Sequence, residues 1–369
     1  MTQDTDPYFD IRPYNDEEVP AAIERLIHDD ELIRAILQHK YPAAPSFIKR
    51  ILAPIIKVVL KTKSAKFISV EAIQIEVKGY LKTALKRSTD GVTYEGLDKL
   101  DKNTSYLFVS NHRDIAMDPA LVNYGLHDNN HRTVRVAIGD NLLKKPCTTE
   151  LMRLNKSFIV KRSAKAPREM MKALATLSSY IKHSLDTNNS IWIAQKEGRA
   201  KDGNDFTDPA ILKMFHVEGR KQKISFPEYI KSLKIVPVSI SYENDPCDIA
   251  KARELCMKEN EGTYEKGEFE DIESIVQGLV GYKGRVNVSF GDVIEDEYET
   301  PELLAKELDR QIHQNYKLFP INYLAAGELD TVDSKVKAVL DKKLAELPEE
   351  AHKYLLNGYA NPVKNRQIN

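Results

Sequence analysis

The densest chemistry in the chain lies in Asn111-His112-Arg113-Asp114, with Asp118 close behind and the apolar run Tyr106-Leu107-Phe108-Val109-Ser110 feeding into it. An imidazole placed where a strand ends, with carboxylates a few residues on, can take a proton from an alcohol while an acid orients the ring. The plainer reading is that Asp114 caps the helix that follows, a frequent role for Asp at a helix start. Another reading makes His112, Asp114 and Asp118 ligands of a metal-dependent hydrolase. That site needs further ligands at fitting positions, and His127, His131, His183 and His216 form no such motif.

The elements that must position these residues alternate in type. Short β-rich runs at Tyr106–Ser110, Thr133–Ile138, Ser157–Val160, Ser190–Ala194, Lys234–Ser241 and Arg285–Phe290 are separated by helical stretches such as Pro167–Leu185. This pattern predicts an α/β fold: a mixed, mostly parallel sheet flanked by helices, with loops carrying chemistry at the strand ends. Ahead of it, apolar residues repeat on one helical face over Val19–Leu37, and Phe47–Val59 and Ala72–Leu85 also read as helices, together an N-terminal helical subdomain. A solvated loop is expected over Glu259–Glu273, a helix over Pro301–Leu318, and a charged amphipathic helix over Asp333–Leu347. The expected divisions are 1–90 (helical, with a potential membrane contact), 91–325 (the α/β domain) and 326–369 (a helical tail).

Composition narrows the class. At 369 residues and 42% hydrophobic content the chain can fill a core, and a formal net charge of -1 gives no global attraction to nucleic acid or acidic membranes. Charge is nevertheless segregated: no Asp or Glu occurs from Leu32 to Val70, where Lys40, Lys49, Arg50, Lys57, Lys61, Lys63 and Lys66 stand. Cys147, Cys247 and Cys256 are odd in number and lack metal-ligand spacing, which points to a reducing compartment. The polar opening Met1–Pro7 has no charged region leading an apolar core, so no secretory signal is expected. The longest apolar run, Ile51–Leu60, is broken by Pro54 and Lys57 and falls short of the roughly 18 to 20 residues of a spanning helix.

Three more blocks follow the first in fixed order. Ser157-Phe158-Ile159-Val160-Lys161-Arg162 is a strand ending in cations, and a guanidinium there can grip a phosphate through two parallel hydrogen bonds. Trp192-Ile193-Ala194-Gln195-Lys196-Glu197-Gly198-Arg199 is an apolar strand running into a turn that uses glycine's freedom. Ile235-Val236-Pro237-Val238-Ser239 is an apolar strand whose proline belongs at an edge, a bulge or a strand start. Read singly, these are solvated strand-end cations, an ordinary glycine turn and an edge strand.

Taken together, over about Gly91–Val293, the blocks resemble those of the glycerolipid acyltransferase superfamily, which includes the glycerol-3-phosphate and lysophosphatidate acyltransferases. The resemblance implies transfer of a fatty acyl group from acyl-CoA or acyl carrier protein to a hydroxyl of a glycerol phosphate or lysophospholipid. It implies direct attack without an acyl-enzyme, no bound cofactor beyond the acyl thioester as co-substrate, and a place in phospholipid biosynthesis. By the same resemblance His112 is the general base, and Asp118, or Asp114, its partner. The family sets its Asp five positions after the His, where this chain has Met117; Asp118 fits if the turn carries one extra residue, while Asp114 would then hold the loop or cap the helix.

Asn111, Arg113, Phe158, Lys161, Arg162, Glu197, Gly198, Arg199 and Pro237 are the implied substrate-binding residues, with Arg162 and Arg199 on phosphate and Glu197 on the acceptor. The family has a further residue between the Gly and the Arg of the third block, and this chain does not. Tyr242-Glu243 and Gly284–Asp292 also resemble the glycerol-3-phosphate branch. A catalytically degenerate, membrane-binding member of the same fold is the alternative that the altered spacings encourage.

A lipidic substrate requires access to a bilayer. Pro45–Lys66 offers it, with Phe47, Ile48, Ile51, Leu52, Ile55, Ile56, Val59 and Leu60 beside a purely basic polar set, although the same apolar residues could pack inward. The expectation is a cytoplasmic protein in peripheral contact with the inner, anionic face of the membrane, with no nucleic-acid partner.

Overall fold

In the computed structural model, residues 6–164, 166–267, 270–328 and 333–368 are described. They carry seven strands: β1 (Gly91–Glu95), β2 (Leu107–Ser110), β3 (Arg135–Gly139), β4 (Ser157–Val160), β5 (Ile191–Ala194), β6 (Ile235–Tyr242) and β7 (Arg285–Phe290). The chain divides into two compact units, one formed by Met1–Tyr80 with Arg135–Tyr180 and the other by Leu81–Val134 with Ile181–Asn369.

The second unit holds the strand order β1-β7-β6-β2-β5. β2 runs parallel to both β5 and β6, and β1 runs parallel to β7; β6 and β7 are antiparallel. All residues of β2 and β6 are buried, which is why both are predominantly apolar, with the small Ser110, Ser239 and Ser241 as their polar members. Because β6, β2 and β5 are parallel neighbours, their C-terminal ends fall on one edge of the sheet. The loops after Ser110, Ala194 and Tyr242 therefore emerge side by side.

Pro237 departs from its expected edge position. It lies inside β6, flanked by β2 and β7, and pairs with Val109. The ladder to β7 begins only at Val238, opposite Phe290, and Pro237 O accepts from Gly291 N at 2.8 Å. The missing N–H thus falls where the antiparallel ladder has ended, and the strand tolerates it.

The first unit pairs β3 with β4 in parallel and adds helices. The predicted Val19–Leu37 helix is two helices, Val19–His28 and Asp30–Lys40. Asp29 breaks them: it is extended, and its side chain accepts from Leu32 N at 2.8 Å as the cap of the second. The helix Ser46–Ser64 packs Leu52, Ile56 and Leu60 around Ile33 and Leu37.

The loop predicted over Glu259–Glu273 is shorter than expected. A helix runs to Glu261, and another, Glu270–Val280, starts within the predicted loop, where Glu268 and Phe269 lie outside the described residues. The C-terminal helix Glu349–Ile368 packs through Ala351, Leu355 and Tyr359 onto Ala252, Cys256, Phe319 and Ile321.

Candidate active site

His112 lies two residues beyond the end of β2, and its Nδ1 is 2.8 Å from Asp118 Oδ2. Asp118 is the second residue of the helix Met117–Asp128, so its side chain reaches back across the turn and also accepts from Arg113 N at 2.6 Å and Asp114 N at 2.9 Å. A carboxylate in a first helical turn is favoured there by the helix dipole and the free amides. Its other oxygen, Oδ1, accepts from Tyr242 Oη at 2.7 Å. Asp118 is wholly buried, while the His112 side chain keeps 15% of its surface exposed. With Nδ1–H directed to Asp118, Nε2 carries the lone pair that can accept a proton.

Asp114 has a different environment. Its Oδ1 accepts from Ala116 N at 3.0 Å and Met117 N at 2.8 Å, capping the helix, and its Oδ2 is buried without a hydrogen-bond partner. Burial first, then the nearby charge of Asp118, pushes its pKa above the ordinary carboxylate value. Above it sits Gly278, where an added Cβ would stand 2.2 Å from Asp114 Oδ2 and 2.7 Å from Oδ1. Only a glycine permits that approach. Gly278→Ala should displace the carboxylate and cost about 1–3 kcal/mol, as overpacking does; urea unfolding checks it, and an unchanged midpoint would count against the contact.

Asn111 and Arg113, expected at the substrate, are buried and engaged with protein groups. Asn111 exchanges hydrogen bonds with the backbone of Ile240 in β6, at 3.0 Å to its carbonyl and 2.8 Å from its amide. Arg113 donates to Asp205 Oδ2 at 2.6 Å and lies over the Tyr316 ring. Burial opposes its charge, yet Asp205 holds its pKa above the usual arginine value. The Arg113 carbonyl accepts from Lys251 Nζ at 2.7 Å, and the same ammonium pairs with Asp245, which it holds below the ordinary carboxylate range against the effect of burial. A polar cavity of about 20 Å³ lies behind this loop, lined among others by Arg113, Tyr242, Asp245, Lys251 and Tyr359. It has room for about one water molecule.

The third block is tied to the first by two backbone hydrogen bonds, Gln195 N to Ser110 O at 2.7 Å and Ala200 N to His112 O at 2.8 Å. Between them the chain turns through Gly198, whose φ of +78° suits glycine. Glu197 is exposed, and Arg199 reaches Ser274 Oγ at 3.4 Å. Pro237, also expected at the substrate, is buried within β6.

Phe158, Lys161 and Arg162 belong to the first unit. Phe158 is fully buried on β4, its ring 5.2 Å from that of Tyr180, which makes it a packing residue. Lys161 Nζ stands 3.8 Å from Asp10 Oδ2. Asp140 organises the turn after β4, accepting from Arg162 N at 3.1 Å and Ser163 Oγ at 2.6 Å.

Sequence reasoning missed Asp205, Lys251 and the role of Tyr242. Asp205 and Lys251 carry no local motif. Tyr242 had a signal: it ends the apolar run parallel to the strand that delivers His112.

Residues 91–241 match the Acyltransferase family. No curated protein matches the chain in sequence. Among solved structures, the 1-acyl-sn-glycerophosphate (LPA) acyltransferase of Thermotoga maritima aligns over 66% of this chain and 78% of its own, with 14% identity and a TM-score of 0.38.

Proposed function

We propose, from the premise that residues 91–241 are an acyltransferase-family domain, that the protein moves a fatty acyl group from acyl-CoA or acyl carrier protein to the hydroxyl of a glycerol phosphate or lysophospholipid. One observation carries the reading: within that stretch His112 Nδ1 stands 2.8 Å from the buried Asp118 carboxylate, at the end of a parallel strand. In this reading Nε2 takes the proton of the acceptor hydroxyl as its oxygen attacks the thioester carbonyl. Asp118 stabilises the imidazolium. Collapse of the tetrahedral intermediate breaks the C–S bond and releases a thiolate, which recovers the proton from the ring. Arg199 is assigned to the acceptor phosphate and Glu197 to the acceptor; Asn111 and Arg113 hold the loop. The hydrolase alternative asks Asp118 to bind a metal, and its two oxygens are already committed to four donors. That favours the base.

The test is an acceptor panel of glycerol-3-phosphate, dihydroxyacetone phosphate, lysophosphatidate and neutral lysolipids, each with acyl-CoA and with acyl carrier protein. Transfer to a phosphate-bearing acceptor is expected. Thioester consumption with none of them would refute the reading.

Peripheral membrane contact belongs to the same proposal. No helix among the described residues is long and apolar enough to cross a membrane. While Leu52, Ile56 and Leu60 pack inward, Phe47 (62%), Ile51 (64%) and Val58 (65%) are exposed on the same helix. Lys49, Arg50, Lys57 and Lys61 accompany them, and each basic residue is worth roughly 1 kcal/mol near anionic lipid. Reversing these four charges should weaken binding to anionic vesicles by at least ~100-fold in a sedimentation assay. Unchanged binding would remove the helix from the account.

A further inference from the structure

We propose that Tyr242 is a positioning residue that sets the proton affinity of His112 through Asp118. The assignment rests on the reading of His112 as the base. Asp118 Oδ2 takes three donors, from His112, Arg113 and Asp114, whereas Oδ1 takes the Tyr242 hydroxyl at 2.7 Å. Tyr242 ends β6 and is itself buried, with its ring fixed in the core behind the loop. The phenol keeps its proton and donates it.

Two consequences follow from this geometry. The hydrogen bond fixes the carboxylate plane, so that Oδ2 faces the imidazole. It also draws charge toward Oδ1, which lessens the negative charge facing the ring. Without the hydroxyl, Oδ1 is a buried acceptor with no partner, and more charge concentrates on the imidazole side. That charge favours the imidazolium, so the free base appears only at higher pH.

Among the described residues, the other charged and titratable groups around the pair include Arg113 and Asp114 of the loop, Asp245 and Lys251 beyond β6, Asp205 and Tyr316 beside Arg113, and the buried Lys283, which interacts with Asp114. They are common to wild type and variant and offset both alike.

The chain supplies its own reporter. Trp192 is its single tryptophan, and its ring meets that of His112 edge-to-face with centroids 5.7 Å apart. A protonated imidazole quenches indole emission, so fluorescence against pH follows the imidazole without substrate.

The experiment compares wild type, Tyr242→Phe and His112→Ala, the last expected to lose the titration step. In Tyr242→Phe the midpoint should rise by about half to one unit, the equivalent of one hydrogen bond to a charged group. The acid limb of kcat/KM should move with it, with KM nearly constant. A purely structural role would lower activity equally at every pH and leave the midpoint in place, and that result overturns the proposal. If Tyr242→Phe fails to fold, fluorotyrosine placed at position 242 keeps the shape and strengthens the donor; the midpoint should then fall, and a rise or no change overturns the proposal. The acyl-transfer assay of the wild type reports separately on the function itself, so the two ideas fail by different readouts.

Discussion

His112→Ala is expected to lower the proposed acyl transfer by about 10² to 10⁴-fold, the range that a positioned general base contributes. The fold should survive, because the side chain is partly exposed and Asp118 retains three donors, Arg113 N, Asp114 N and Tyr242 Oη. The loss should appear in kcat and in kcat/KM alike, since the proton is taken only on the way to the transition state. Circular dichroism and urea unfolding separate a chemical defect from a folding one. A variant that folds and turns over at more than a tenth of the wild-type rate would remove His112 as the base.

Arg113→Ala has the largest expected effect on stability. Its partner Asp205 has a side chain only 2% exposed, and Asp205 Oδ1 already lacks a hydrogen-bond partner. Removing the guanidinium leaves a buried carboxylate without its counter-charge and with only the long 3.4 Å bond from Asn111 Nδ2, which costs about 3–5 kcal/mol. Activity should fall as well, because the guanidinium's bond to Asp205 anchors the loop from which His112 and the Arg113 amide meet Asp118, and Ala keeps the amide but loses the anchor. Taking away both charges in Arg113→Ala with Asp205→Ala should recover part of the loss, and the double-mutant cycle gives the coupling. Urea unfolding measures it. A single-variant cost below about 1 kcal/mol would mean that water reaches Asp205.

Much of this arrangement is legible in the amino-acid sequence. Short β-rich runs set between helical stretches mark strands, so Ser157–Val160 and Arg285–Phe290 coincide with β4 and β7. β1 was harder: Gly91–Glu95 is exposed at alternate positions along the edge of its sheet and lacks an apolar run. Pro237 misled because an edge rule ignores where a neighbouring ladder stops. Asp29 misled because periodicity carries across a single extended residue that leaves the apolar spacing intact.

For the site, local order was informative and long-range partners were not. The His-Asp block lies within seven residues, so its two candidate carboxylates are visible in sequence. Which one meets the imidazole depends on how the turn winds, and the helix begins at Met117, just early enough for Asp118 to reach back. Asp205, Tyr242 and Lys251 come from distant segments and meet the loop only because parallel strands end together. Phe158 shows the opposite error: a residue in a motif can be there for packing.

The most direct test is rapid mixing of the enzyme with a long-chain acyl-CoA, with thiol release followed in the presence and absence of a phosphorylated acceptor. Direct transfer from a His112-activated hydroxyl predicts that thiol release waits for the acceptor and keeps pace with ester formation. A burst of thiol equal to the enzyme concentration without acceptor, leaving acyl-labelled protein, would contradict it.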